Sequence, residues 1–311
     1  MRKNDVKVLS EIEHVLHRPG MYVGDTTLGV HDRWAMKDGK IVKKKVKIVP
    51  AFLKLFDEII SNCIDEGFRT DFKYANEIKI YVEDNGKISV SDNGRVIPVV
   101  NIPELSKTQA ELAFTNLRAG ANFEDDGHVS IGTHGLGSTL VNILSKKFIA
   151  HTDDGKRHFR LHCSHNLNEI DTEITKTKGV LGTSVHYYAD FDRLGMGKID
   201  KDHTSLIEKR VNDLAVCFPK IRFKYNGRVV QSDSRPRYAG RQRYRHCREH
   251  LSAHAGRDRP NRIGAGSRGR SRLAGYQFDH HHPLRLLSDD FLAWYHGRVY
   301  EVSADHPDHY P

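Results

Sequence analysis

Glu58 and Asn62 lie four residues apart in DEIISNCIDEG (57–67), a spacing that stacks an acid and an amide on one helical face. A carboxylate there could orient and deprotonate a water. The amide oxygen could ligate Mg²⁺, an ion that keeps several waters and bridges phosphates. Three further stretches suit the same kind of ligand. In SDNGRVIP (91–98), Asp92 ends a strand-like run before Gly94, where its carboxylate could accept from an exocyclic amine such as adenine's. In IGTHGLGSTLVN (131–142), Gly132, Gly135 and Gly137 carry no side chain, so backbone N–H groups could close on phosphate oxygens. The helix expected from Ser138 adds its positive end to the same charge. In LGTSVHYY (181–188), Gly182 and Thr183 precede a strand. Each feature alone is commonplace, because glycine-rich loops recur and an acid and amide at this spacing are usually solvated surface. Their combination and order describe a nucleotide site.

Elements of matching character must hold these residues. Phe52, Leu55, Phe56, Ile59, Ile60, Cys63 and Ile64 recur at helical spacing, so residues 50–68 read as a helix with a core stripe beside its polar wall. EIKIYVED (77–84) and KISVSDNG (87–94) alternate like strands and meet at Asn85–Gly86, a hairpin signal. Ser10 and Glu13 form a capping pattern ahead of a short helix that RPGMYVG ends. Residues 104–119 and 138–148 have helical patterns, with a glycine-bearing loop over 120–137. From 149 to 230 the chain reads mostly as strand, with one helix at 204–216. Residues 30–50 read as an exposed excursion, and KKKVK (43–47) as a solvated strand edge rather than a binding patch. The fold class is α+β: a two-layer sandwich with a mixed, mostly antiparallel sheet and helices on one face.

Composition bounds the remainder. Hydrophobic residues are 38% and charged residues 29%, and no apolar run nears the ~20 residues of a membrane span. The N-terminus has no apolar signal stretch and the four cysteines have no pairing or metal-ligand spacing, so a cytoplasmic address is expected. Net charge is +9, and it is unevenly spread: residues 232–311 hold 14 cations, all arginine, and no lysine lies beyond Lys224. That break sets a boundary between a domain at 1–231 and an irregular Arg/His-rich tail at 232–311. His280–His282 has no second ligand cluster, so no metal site is read there.

EHVLHRPGMYVGDT (13–26), DEIISNCIDEG, SDNGRVIP, LRAGANFEDD (117–126) and GTHGLGSTLVNILS (132–145) together resemble the ATPase subunit of type II DNA topoisomerases, phage large subunits in particular. That family shares the ATP-binding fold of gyrase B, heat-shock chaperones, MutL and histidine kinases, and the resemblance covers about residues 5–230. It implies ATP and Mg²⁺ as ligands, with Glu58 as general base and Asn62 on the metal. It implies Asp92 on the adenine, Thr183 supporting it and Gly94 beside the base. Arg95 would cover the pocket, paired with Glu66. Asp65 and Pro98 would line it, with Ile97 packed near the base. Gly132, Thr133, His134, Gly135, Leu136 and Gly137 would form the phosphate lid. The implied partners are DNA, a cleavage subunit or domain, and a second copy joined through the arm (residues 1–26) on ATP binding. Tyr22 in that arm suits exchange or simple packing.

Two residues depart from the family pattern. Val96 stands where glycine is usual, and a β-branched residue resists positive φ. Asn122 stands where bacterial gyrases place a lysine. The tail matches no transducer domain, which in the family supplies a lysine to the γ-phosphate. It reads either as a shifted frame, the preferred reading, or as a disordered nucleic-acid-binding segment. Weak turnover is therefore expected. A non-hydrolysing clamp, or a truncated product that holds DNA through its tail, is the alternative.

Overall fold

The computed structural model describes residues 8–119, 136–177, 179 and 181–230, all within one compact unit, Met1–Asp258. The tail beyond 230 lies outside the described residues, and so do Asn122 and lid residues Gly132, Thr133, His134 and Gly135. The chain opens with α1 (Glu11–His17) and α2 (Gly20–Val23), followed by β1 (Gly29–Lys37) and β2 (Lys40–Ile48). Next come α3 (Pro50–Arg69), β3 (Glu77–Val82) and β4 (Lys87–Asp92). A two-residue ladder, β5 (Asn101–Ile102) with β6 (Lys107–Thr108), leads into α4 (Gln109–Thr115). Then follow α5 (Gly137–Ile143), β7 (Ser145–Asp153), β8 (Arg157–Ser164), β9 (Glu169–Lys176) and β10 (Gly182–Ala189). The described chain ends with α6 (Lys201–Cys217), β11 (Arg222–Tyr225) and β12 (Arg228–Val230).

Eight strands form the main sheet in the order β12-β11-β3-β4-β10-β7-β8-β9. Every pairing is antiparallel except β11 with β3. Alternation sets the layers: Phe159, Leu161 and Cys163 of β8 are buried while Arg160 and His162 keep solvent contact. Ile78, Ile80, Ile88, Val90, Phe148 and Tyr187 complete the buried sheet face. Against it α3 supplies Phe52, Leu55, Phe56, Ile59, Ile60 and Ile64, the stripe expected from the sequence. The sheet is mixed and mostly antiparallel, with helices packed on it, as the sequence indicates.

Three boundaries differ from expectation. The 104–119 helix shrinks to α4, because Ser106 takes a left-handed conformation (φ +52°) and Thr108 caps the helix by accepting from Glu111 N–H. The 138–148 helix stops at Ile143, and Ser145 already pairs with Ala189 as β7 begins. Burial of Phe148 and Ala150 on the sheet outweighs local helical pattern there. The β3–β4 hairpin turns through three residues, with Gly86 N–H donating to Glu83 O (3.0 Å) and Gly86 alone at positive φ (+89°). That is a type I turn closed by a glycine bulge, not a two-residue primed turn.

Candidate functional site

Pro50 at the first helical position starts α3, and twenty residues carry it across the sheet. Its polar wall presents Glu58, Asn62 and Glu66 at successive turns. Glu58 Oε1 pairs with Lys54 Nζ at 2.7 Å, one turn earlier. The other oxygen, Oε2, faces the start of α5: a Cβ on Gly137 would lie 2.3 Å from it. No larger residue fits at 137 without moving the carboxylate. Leu136 is the residue that precedes the helix. Asn62 is exposed, and its amide makes no hydrogen bond among the described residues. Asp65, by contrast, is buried (2% exposed).

Asp92 sits at the end of β4, in register with Thr183 of β10. Its Oδ1 accepts from Gly94 N–H at 2.7 Å. The Thr183 N–H and the Cys63 thiol lie near its carboxylate and hold its value down, although the thiol's own hydrogen bond goes to Ile59 O at 3.7 Å. Asp92 keeps some solvent contact while crowded by protein, and burial pushes it up to about 6 despite these neighbours. The Glu66 charge adds to the rise. Burial, and after it the charge of the Asp92 carboxylate, push the Cys63 thiol well up. Gly94 is required by space rather than φ: its Cβ would lie 2.6 Å from Asp92 Oδ1 and 2.7 Å from Glu66 Cγ. Gly182 (φ +129°) is required by both, since its Cβ would lie 2.1 Å from Asp92 O.

Arg95 follows in the loop after β4. Its backbone N–H and its Nε both donate to Glu66 Oε1, at 3.0 and 2.8 Å. The Arg95–Glu66 pair thus forms, and it ties the loop after β4 to α3. Val96 has no positive φ, so the concern raised by its β-branch does not arise. Ile97 is partly exposed and Pro98 exposed. The structure therefore gathers Glu58, Asn62, Glu66, Asp92, Gly94, Arg95, Gly137 and Thr183 along α3, the ends of β4 and β10, and the start of α5.

Sequence reasoning missed Lys54, although its i,i+4 spacing to Glu58 was readable. It also missed the Cys63 thiol, whose proximity to Asp92 is tertiary. Arg210 of α6 was missed too. It forks onto Asp57 with Nε–Oδ1 2.9 Å and a second bond at 2.7 Å, fixing the helix beside Glu58.

Residues 49–186 match the family described as histidine kinase-, DNA gyrase B-, and HSP90-like ATPase. The chain is 38% identical over 237 residues to the DNA topoisomerase large subunit of Enterobacteria phage T4, covering 75% of this chain and 45% of that one. It is 32% identical to a probable DNA topoisomerase 2 of Dictyostelium discoideum, over 69% of this chain and 14% of that protein. The ATPase region of Saccharomyces cerevisiae topoisomerase II superposes with a TM-score of 0.69 at 28% identity, over 73% of this chain and 61% of that one. The ATPase and transducer domains of Balamuthia mandrillaris topoisomerase II give 0.70 at 26%, over 79% and 64%. The chain thus spans less than half the length of the curated relatives described here.

Proposed function

We propose, from the premise that residues 49–186 form a domain of the histidine kinase-, DNA gyrase B-, and HSP90-like ATPase family, that this chain binds and hydrolyses ATP to drive the DNA clamp of a phage-type II topoisomerase. The observation that carries the reading is Glu58 seated against Gly137, with Asn62 one turn away and Asp92 at the end of β4 against Gly94 and Gly182. Asp92 accepts a hydrogen bond from the adenine amine. Arg95, held by Glu66, covers the base. Glu58 takes a proton from the attacking water, with Lys54 on Oε1 leaving Oε2 toward the phosphate side. Gly137 and the lid glycines admit the phosphates.

Mg²⁺ fits the residues present. The Asn62 amide oxygen is exposed and free among the described residues, a hard donor suited to a cation whose other ligands are phosphate and water. When bound, the ion would neutralise charge on the phosphates. Asn62 is the residue that would hold it.

The wider assembly belongs to the same proposal. Met21 (74% exposed) and Val8 (88% exposed) offer apolar surface in the arm for a second copy, although Tyr22 hydrogen-bonds within the chain to His14 Nδ1 at 2.7 Å. The T4 likeness supports a cleavage subunit as partner and the host cytoplasm as the location in this reading. Turnover should be weak, since residues 232–311 hold no lysine for the γ-phosphate. Titration calorimetry with adenylyl-imidodiphosphate, with and without Mg²⁺, tests the site directly. Glu58→Ala should leave that binding within about twofold while turnover falls about 10²-fold or more. If turnover persists in the variant, Glu58 is not the base; if the unsubstituted chain binds but never hydrolyses, the clamp reading replaces this one.

A further inference from the structure

The lysine run at 43–47 lies on β2, half of a two-stranded ribbon separate from the main sheet. The ribbon's inner face, with Ala35, Val46 and Ile48, packs on Leu206 of α6. Asp202 of α6 fixes it, accepting from Lys44 Nζ at 2.9 Å and from Lys47 N–H at 2.8 Å. Alternation then turns Lys43, Lys45 and Lys47 to the opposite, uncovered face, all exposed. Directly across on β1 stand Trp34, Asp32 and Val30, with Met36 opposite Ile41. Val30 is 66% and Ile41 42% exposed. Asp32 is the lone acid on this face, and among the described residues none of the three lysines makes an ion pair. Three ammonium groups, none in an ion pair among the described residues, thus share one face with an indole, aliphatic side chains and Asp32, while Asp202 holds the ribbon from behind.

We propose that the outer face of the β1–β2 ribbon is a docking surface for the sugar–phosphate backbone of duplex DNA. Alternate strand residues are about 7 Å apart, close to the through-space separation of neighbouring phosphates along one DNA strand. Lys43 to Lys47 span about 14 Å, room for about three successive phosphates of one strand. Lysine is a point charge, so the surface grips backbone without reading bases. Trp34, Met36 and Ile41 supply the apolar contact that sugars offer. The inference rests on the reading that this domain works on DNA, and it assigns where the duplex lies.

The test is binding of the full chain to a fluorescent duplex of about 20 base pairs across a salt series. The triple variant Lys43→Gln, Lys45→Gln, Lys47→Gln should flatten the log affinity against log salt slope by about 2–3, and weaken low-salt binding about tenfold or more. A control with the same charge change, Lys147→Gln, Lys156→Gln, Lys176→Gln, should leave the slope within about 1 of the unsubstituted chain. The Arg-rich tail is common to all three proteins. An unchanged slope in the first triple, or an equal loss in the control, overturns the proposal. Should the triple fail to fold, Lys43→Gln alone should lower the slope by about 1, and no change there overturns it equally. Binding of adenylyl-imidodiphosphate should be unchanged in every variant. Its loss in the unsubstituted chain would fault the ATPase reading instead.

Discussion

Replacing Asp92 with asparagine should separate affinity from stability. A carboxylate raised to about 6 in the fold opposes folding wherever it is ionised. That penalty is absent below the ordinary value near 4, grows as pH climbs to about 6, and is complete above it. Asp92→Asn should therefore raise folding stability by about 1–3 kcal/mol near pH 8 and by almost nothing near pH 3.5. The same change should abolish binding of adenylyl-imidodiphosphate, because the amide presents a donor where the adenine amine also donates. Unfolding curves at two pH values and one titration check both halves. Wild-type nucleotide affinity should likewise fall as pH drops through about 6. Gly137→Ala probes the other end of the site. Its methyl would displace the Glu58 carboxylate, so turnover should fall at least about tenfold while Asp92-dependent binding persists. Position 92 could be picked out as a strand-end acid before a glycine. Its raised value could not, because Cys63, Glu66 and Thr183 reach it from elsewhere in the chain.

At the scale of elements, α6 is the brace for α3. His203 of α6 accepts from Val49 N–H at 3.0 Å, the residue that caps α3, and holds Asp200 through its other nitrogen at 2.8 Å. Asp200 in turn caps α6 by accepting from Asp202 and His203 N–H. Arg210 forks onto Asp57, both side chains nearly buried. Arg210→Met should leave that carboxylate uncompensated and cost about 2–4 kcal/mol, seen as a lowered denaturant midpoint with an unchanged slope. His203→Ala should cost about 1–3 kcal/mol, because the Val49 N–H at the head of α3 loses its acceptor. The 50–68 helix was legible because its seven apolar positions repeat at one period. The 104–119 segment misled because its apolar spacing suited a helix, while the left-handed Ser106 and the β5–β6 ladder divided it. Cross-strand partners such as Asn101 with Thr108 leave no mark in local periodicity.

Among the described residues, one α+β layer pair carries the proposed nucleotide site, and a separate ribbon carries the lysine face. A ligand that binds only the folded state stabilises by mass action, so the analogue at about 100-fold over its Kd should add about 2.7 kcal/mol. That gain should vanish in Asp92→Asn and survive in Glu58→Ala, a comparison read from thermal unfolding. Local periods and short motifs were enough to give the ATPase-family likeness, the α+β class and the helix that carries Glu58 and Asn62. Tertiary structure decided which charges are active. It lifted Asp92 by burial, seated Glu58 against Gly137, and turned Lys43, Lys45 and Lys47 away from the body while Lys44 was neutralised by Asp202. Such effects depend on distance in space and on exclusion of water, and neither is a function of separation along the chain.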